Sequence, residues 1–207
     1  MSARVIGLTG GIASGKSTVH QMLAALGAAF VDADAVYHDL IAPLANQPSP
    51  LARAVGQRFP GVLTHDGRVD RRRLGERVFT HPDERRALEA LTHPAVAAES
   101  KRRIAALADG GAPVVIYDVP LLYERGLEGG VAGVIVVWVP EAVQVKRLIA
   151  REHIAAAEAH RRLAAQLPLD EKRRRATWLI DNSGTREETR AQVTALWDVL
   201  QREPVRT

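Results

Sequence analysis

Apolar runs and helical repeats alternate along the chain in an order that describes a parallel sheet. Arg4 to Thr9 is a short apolar run flanked by glycine, which reads as a buried strand. Val19, Met22, Leu23 and Leu26 then recur at helical spacing, predicting a helix from about Gly15 to Leu26 that Gly27 stops. Ala28 to Val31, Val114 to Asp118, Val131 to Val139 and, more weakly, Trp178 to Asp181 predict four further strands. Strands that read as continuous apolar runs separated by helices belong to parallel sheets covered on both faces.

Two stretches interrupt that alternation. After the second strand, about eighty residues carry no strand pattern. A helix is expected at Ala35–Ile41, then a loop with Pro43, Pro48 and Pro50, then helices at Leu51–Arg58, Arg71–Phe79 and Pro82–Leu107, the last broken at Pro94. A second helical stretch, Glu141 to Arg175, separates the fourth and fifth strands. Thr185 and Glu188 stand at capping-box spacing ahead of a last helix that places Val193, Leu196, Trp197 and Leu200 on one face. The fold class expected is α/β, a five-stranded parallel sheet with two helical insertions.

Composition narrows this. The 207 residues suit one domain or a core with an insertion, and 46% hydrophobic with 25% charged residues reads as soluble and globular. Zero cysteines exclude a disulfide framework, a thiolate zinc site and a cysteine nucleophile. The 4% aromatic share argues against base stacking as a main binding device. The first ten residues show no secretory signal, and the longest apolar run is far short of the ~20 residues that span a bilayer. A cytoplasmic protein with no membrane partner is therefore expected. The net charge of +4 sits in residues 140–175, while the remaining charges balance. Nucleotide phosphate and nucleic acid are the candidate anions for that stretch.

The chemistry starts at Gly10-Gly11-Ile12-Ala13-Ser14-Gly15-Lys16-Ser17, which fits Gly, any four residues, then Gly-Lys-Ser, with a strand before it and a helix after it. Glycines let the backbone wrap phosphates closely, and the helix N-terminus adds free N–H groups and a favourable dipole. Lys16 is expected to bridge the β- and γ-phosphates of a nucleotide and the Ser17 hydroxyl to ligate Mg²⁺. The chain has only two asparagines, Asn46 and Asn182, and neither supplies an Asn-Lys-x-Asp guanine motif. A small-molecule kinase fits best. A nucleoside or nucleotide kinase and a nucleotide-gated nucleic-acid module are the alternatives.

Asp32 and Asp34 lie two apart at the end of the second strand, so both side chains are expected to leave on one face, beyond the strand's carboxyl end where ligands bind. One of them could accept a hydroxyl proton, and Asp34 could equally cap the next helix. Asp118, ending the third strand, is a candidate Mg²⁺ acid or another cap. On the helix after Pro140, Val145, Leu148 and Ile149 share a face expected to be buried. Gln144, Arg147 and Arg151 share the opposite one, placed to meet ATP phosphates. Arg71-Arg72-Arg73 could meet acceptor phosphates or solvate a helix start, and Arg173-Arg174-Arg175 reads as surface. His93, before Pro94, is expected to pack at a helix start.

Beyond these single readings, the chain resembles the dephospho-CoA kinase family. The matching residues are Leu8 to Thr18, Asp32-Ala33-Asp34, Gly67, Asp70-Arg71, Leu74, Phe79, His93-Pro94, Pro120-Leu121-Leu122, Glu124, Arg147, Arg151, Gln166 and Ile180 to Gly184. The resemblance implies ATP and Mg²⁺ as cofactors, dephospho-CoA as the acceptor, and phosphorylation of its ribose 3′-hydroxyl, with no nucleic-acid partner. It implies a nucleotide-binding core at 1–35, 113–139 and 176–207, an acceptor-binding helical domain at 36–112, and a lid at 140–175. Asp34 would be the base, with Lys16 and Arg147 beside it in catalysis. Gly11, Ile12, Ala13, Ser14, Gly15, Lys16, Ser17, Thr18, Arg151 and Asn182 would hold ATP, with Asn182 near the adenine. Thr9, Asp32, Arg71 and His93 would hold the acceptor. One departure is Thr177, where the family commonly has Asp before the last strand, which leaves that residue's role unfilled.

Overall fold

The computed structural model describes residues 3–202, so the outermost residues of the expected core segments, 1–2 and 203–207, lie outside it. Five strands, β1 (Arg4–Gly10), β2 (Ala29–Asp32), β3 (Val114–Asp118), β4 (Gly133–Trp138) and β5 (Trp178–Asp181), form one sheet in the order β2-β3-β1-β4-β5. The motif-bearing strand is central. β1 pairs in parallel with β3, Arg4 opposite Val114, and with β4, Ile6 opposite Gly133. β5 joins β4, also in parallel.

The chain divides into two compact units, one of Met1–Val31 with Ile104–Thr207 and one of Asp32–Arg103. In the first, α1 (Lys16–Ala25) and α9 (Arg186–Arg202) cover one sheet face. Ile6, Leu8, Ile116, Ile135 and Ile180 from the strands pack there against Val19, Leu23, Val193 and Leu200 from the helices. The alternation that aims these strand residues at one face also aims Gly7 at the other, where a Cβ would stand 2.6 Å from Leu122 Cδ1. Glycine is required there because the turn after β3 lies so close. The arm between β4 and β5 consists of α6 (Glu141–Glu152), α7 (Ala156–Ala164) and α8 (Leu169–Arg174).

The second unit holds α2 (Ala33–Ile41), α3 (Pro50–Arg58), α4 (Arg71–Thr80) and most of α5 (Pro82–Asp109). Its core is Ile41, Ala52, Val55, Phe59, Val62 and Leu74, with Tyr37, Leu88 and Leu91 packed around it. Ser49 caps α3 and Asp70 caps α4 through side-chain oxygens that accept first-turn N–H groups.

Three expectations change. α5 runs through Pro94 without a break, so His93 sits in a helix interior and not at a helix start. Pro94 removes one backbone donor and restrains the residue before it, but packing along a long helix outweighs that local cost. Asp34 does not cap the helix after β2. Asp32 does, accepting the Asp34 and Ala35 N–H groups at 2.8 and 3.1 Å. Asp34 therefore lies in the first helical turn, and the two carboxylates do not share a strand face. Third, α6 buries Leu148 as expected but together with Gln144, which was expected on the opposite face. Val145 and Ile149 line an open cleft beside His160.

Candidate active site

The glycine-rich loop leaves the carboxyl end of β1 and enters α1. Gly15 is the N-cap of α1 with φ +89°, and Ala13 also adopts the left-handed region, at φ +59°. A non-glycine residue there costs on the order of 1–2 kcal/mol, so the surroundings must hold it. The loop is tied at two carbonyls and one N–H by side chains from far along the chain. Gln144 Nε2 donates to the Ile12 carbonyl at 2.7 Å, and the Ile12 N–H donates to Gln166 Oε1 at 2.8 Å. Asn182 Nδ2 donates to the Ser14 carbonyl at 2.8 Å, and its own Oδ1 accepts from Thr189 Oγ1 at 2.9 Å. Arg147 donates to the Asn182 carbonyl at 2.9 Å and reaches the Ser14 carbonyl at 3.5 Å.

These ties occupy the Ile12 and Ser14 carbonyls with donors outside the loop, while the Gly11 carbonyl accepts the Ser14 N–H within it at 3.1 Å. The first N–H groups of α1 have no acceptor four residues back, as at every helix N-terminus, and with the dipole they form an anion site. Ser17 is exposed at that terminus, in the first turn of α1.

Asp118 is buried at the end of β3, with 1% of its surface accessible, and one of its carboxylate oxygens pairs with Lys16 Nζ. The other takes His20 Nδ1 at 2.7 Å, and the His20 ring stacks on Phe30 with centroids 3.9 Å apart. His20 was not among the residues singled out from sequence. Its position four residues after Lys16, hence on the same helix face, is the signal that could have found it.

The turn after β3 is anchored by an ion pair whose lysine is buried and whose glutamate reaches solvent. Lys172 Nζ, wholly buried, lies 2.8 Å from Glu124 Oε1 and donates to the Pro120 carbonyl at 3.0 Å. Burial lowers the Lys172 pKa, and Glu124 opposes that shift. Glu124 also accepts the Leu167 N–H at 3.0 Å. The root of the arm is thus fixed to the turn.

The expected site residues separate accordingly. Lys16, Ser14, Gly15, Arg147 and Asn182 meet at the loop. Asn182 is 8% exposed and spends its side chain on Ser14 and Thr189. Thr9, expected at the acceptor, is wholly buried and donates to the Pro120 carbonyl at 2.8 Å. Arg151 is exposed and pairs with Glu152 at 2.7 Å, away from the loop ties. In the second unit, Asp34 and Arg71 are exposed in the first turns of α2 and α4, Asp32 is half-buried as a cap, and His93 is half-buried in α5. Thr177 carries a structural tie in place of the family's Asp, its Oγ1 accepting the Val134 N–H at 3.0 Å. Of the basic triplet, Arg173 lies over Trp138 and Arg175 over Tyr123.

A phosphate loop opening from the carboxyl end of a central parallel strand, with arginine-bearing helices packed on it, defines the P-loop kinase class. The comparisons place the chain within it. The dephospho-CoA kinase family model matches residues 4–188. A dephospho-CoA kinase from Symbiobacterium thermophilum is 51% identical over 94% of this chain and 80% of its own. One from Anaeromyxobacter dehalogenans is 50% identical over 89% and 86%. Among solved structures, a Thermus thermophilus protein superposes with a TM-score of 0.81 at 35% identity, covering 99% of this chain and 100% of that one. A dephospho-CoA kinase from Campylobacter jejuni gives 0.70 at 25%, covering 94% and 95%. The chain belongs to the dephospho-CoA kinase family, and these relatives do not favour the nucleoside- or nucleotide-kinase alternative. Among the described residues no helix is long and apolar enough to cross a membrane.

Proposed function

We propose that this protein transfers the γ-phosphoryl group of ATP to the ribose 3′-hydroxyl of dephospho-CoA, giving coenzyme A, in the cytoplasm and without a nucleic-acid or membrane partner. The observation that carries the reading is the phosphate loop at the end of β1, set in a chain whose family match spans nearly its whole length.

The chemistry asks for positioning and for charge neutralisation. Lys16 leaves Asp118 for the β- and γ-phosphate oxygens, while the N–H groups from Gly15 to Thr18 bind the phosphates. The donors present fit Mg²⁺, since the Ser17 hydroxyl and the Asp118 carboxylate are hard oxygen ligands of the kind it takes. Ser17 would hold the ion, which when bound would neutralise phosphate charge. Arg147, whose guanidinium bonds the Ser14 and Asn182 carbonyls, is the arginine we assign to spreading the charge of the transferring group. Asp34 accepts the proton of the attacking 3′-hydroxyl, Asp32 supports the acceptor side while it caps α2, and Arg71 and His93 contribute to acceptor binding from the helical unit. The 140–175 arm works as a lid over ATP.

The test is ADP formation with ATP, Mg²⁺ and dephospho-CoA, run against nucleosides and nucleotides as competing acceptors. Dephospho-CoA is expected to win by orders of magnitude, and equal use of a nucleoside would overturn the reading. Asp34→Asn is expected to depress kcat with ATP binding intact. Unchanged turnover would remove Asp34 from the base role.

A further inference from the structure

The arm residues Gln144 and Gln166 come from α6 and from the α7–α8 link, yet they meet on the backbone of one residue, Ile12, one on each of its two flanking peptides. Gln144 Nε2 gives its proton to the Ile12 carbonyl, and Gln166 Oε1 takes the Ile12 N–H. Gln144 is 4% exposed, so neither solvent nor an alternative partner competes easily for its amide. A third observation is independent of those bonds. A Cβ on Gly11 would stand 2.5 Å from Gln144 Nε2, so glycine at position 11 makes room for a glutamine, besides any room it makes for phosphate. Ala13, the residue after Ile12, is the strained one at φ +59°.

We propose that Gln144 and Gln166 act together as a clamp that fixes the two peptides flanking Ile12 and thereby holds Ala13 and the following N–H groups in the phosphate-binding conformation. They are positioning residues, acting on the loop and not on the nucleotide. The arm then does more than overlie ATP, because its two glutamines set the loop's shape before ATP arrives. Releasing the Gln144 bond frees the Ile12–Ala13 peptide and releasing the Gln166 bond frees the Gly11–Ile12 peptide, and in either case Ala13 relaxes out of the left-handed region that phosphate binding requires. The inference rests on the kinase reading, since it concerns the loop that would bind ATP.

The experiment measures ATP affinity by calorimetry and amide exchange at Ile12 by NMR on the full chain. Gln144→Leu and Gln166→Leu are each expected to weaken ATP binding by about three- to tenfold, the range for one lost hydrogen bond. Because the two bonds hold the peptides on either side of one residue, and losing either frees the Ile12 dihedrals, the double variant should be little worse than either alone. Ile12 amide protection should fall in Gln166→Leu and persist in Gln166→Glu, which keeps an acceptor. Gln144→Glu replaces a donor with an acceptor facing a carbonyl and should behave like Gln144→Leu or worse. Full ATP affinity in both leucine variants would overturn the clamp, as would a double variant showing the product of the two single effects. If the leucine variants do not fold, the glutamate pair decides, and the clamp fails if Gln144→Glu binds ATP like the parent chain. A parent chain that binds no ATP would instead remove the kinase reading itself.

Discussion

The side-chain amide of Asn182 stands where a Cβ on Gly15 would lie, and from there it donates to the neighbouring Ser14 carbonyl. The last strand's end and the helix N-cap are therefore fitted to one another, and position 15 has two separate reasons to be glycine. Its φ of +89° is one and the occupied space is the other.

Gly15→Ala should lose on both counts. Displacing Asn182 and straining the backbone together are expected to cost about 1–3 kcal/mol of stability and to weaken ATP binding at least about tenfold. Thermal melts and calorimetry check this. An alanine variant with parental affinity would mean that the Asn182 contact is dispensable.

Lys16→Ala removes the group that would bridge phosphates, and kcat should fall by roughly 10²–10³. It also leaves Asp118, 1% exposed, with His20 as its remaining ion-pair partner among the described residues. Adding Asp118→Asn to Lys16→Ala should consequently raise the melting temperature while activity stays low. A further drop in stability would contradict the buried-charge explanation.

Lys172→Met should be among the costlier single changes in the arm, about 1–3 kcal/mol, because it removes the donor to the Pro120 carbonyl and the partner of Glu124. Glu124→Gln in the same chain should recover part of the loss. Denaturant unfolding of the two single variants and the double variant measures the coupling directly.

Glu99 reports on acid. Hydrogen bonds from Arg102 first, then Arg103, push its pKa down to about 2 from the usual 4.5. A carboxylate depressed on folding adds stability above its unfolded pKa, and the gain disappears as pH falls from about 4.5 toward about 2. Glu99→Gln should flatten melting temperature against pH across that window. The effect should shrink in high salt, since the pair is near the surface.

The sheet and the loop motif were legible in sequence because each leaves a local trace. β3 and β5 fall where apolar runs end in Asp118 and Asp181, and the Thr185–Glu188 box is formed, with the Thr185 N–H to Glu188 at 2.7 Å and the return bond at 3.2 Å. What failed was inference from periodicity where a polar face is buried. On α6 the apolar stripe of Val145 and Ile149 suggested the inner side, yet the inner side carries Gln144, because loop carbonyls need donors more than this helix needs apolar cover. Pro94 misled in the same way, since a local penalty was taken to decide what a long packed helix decides. The Glu124–Lys172 pair and the His20–Asp118 contact join residues 48 and 98 apart, and nothing in the sequence around either member names its partner.

The strand order also sets a timetable for making the molecule. β1 is synthesised first but pairs with β3, whose Val114 lies opposite Arg4, so at ordinary translation rates the central strand waits on the order of ten seconds for its neighbour. The 32–103 unit needs no such wait, since its core is drawn from one continuous stretch. The phosphate loop waits longest. Its last tie is Asn182, so a nascent chain carries the whole motif long before it has the shape that binds a nucleotide.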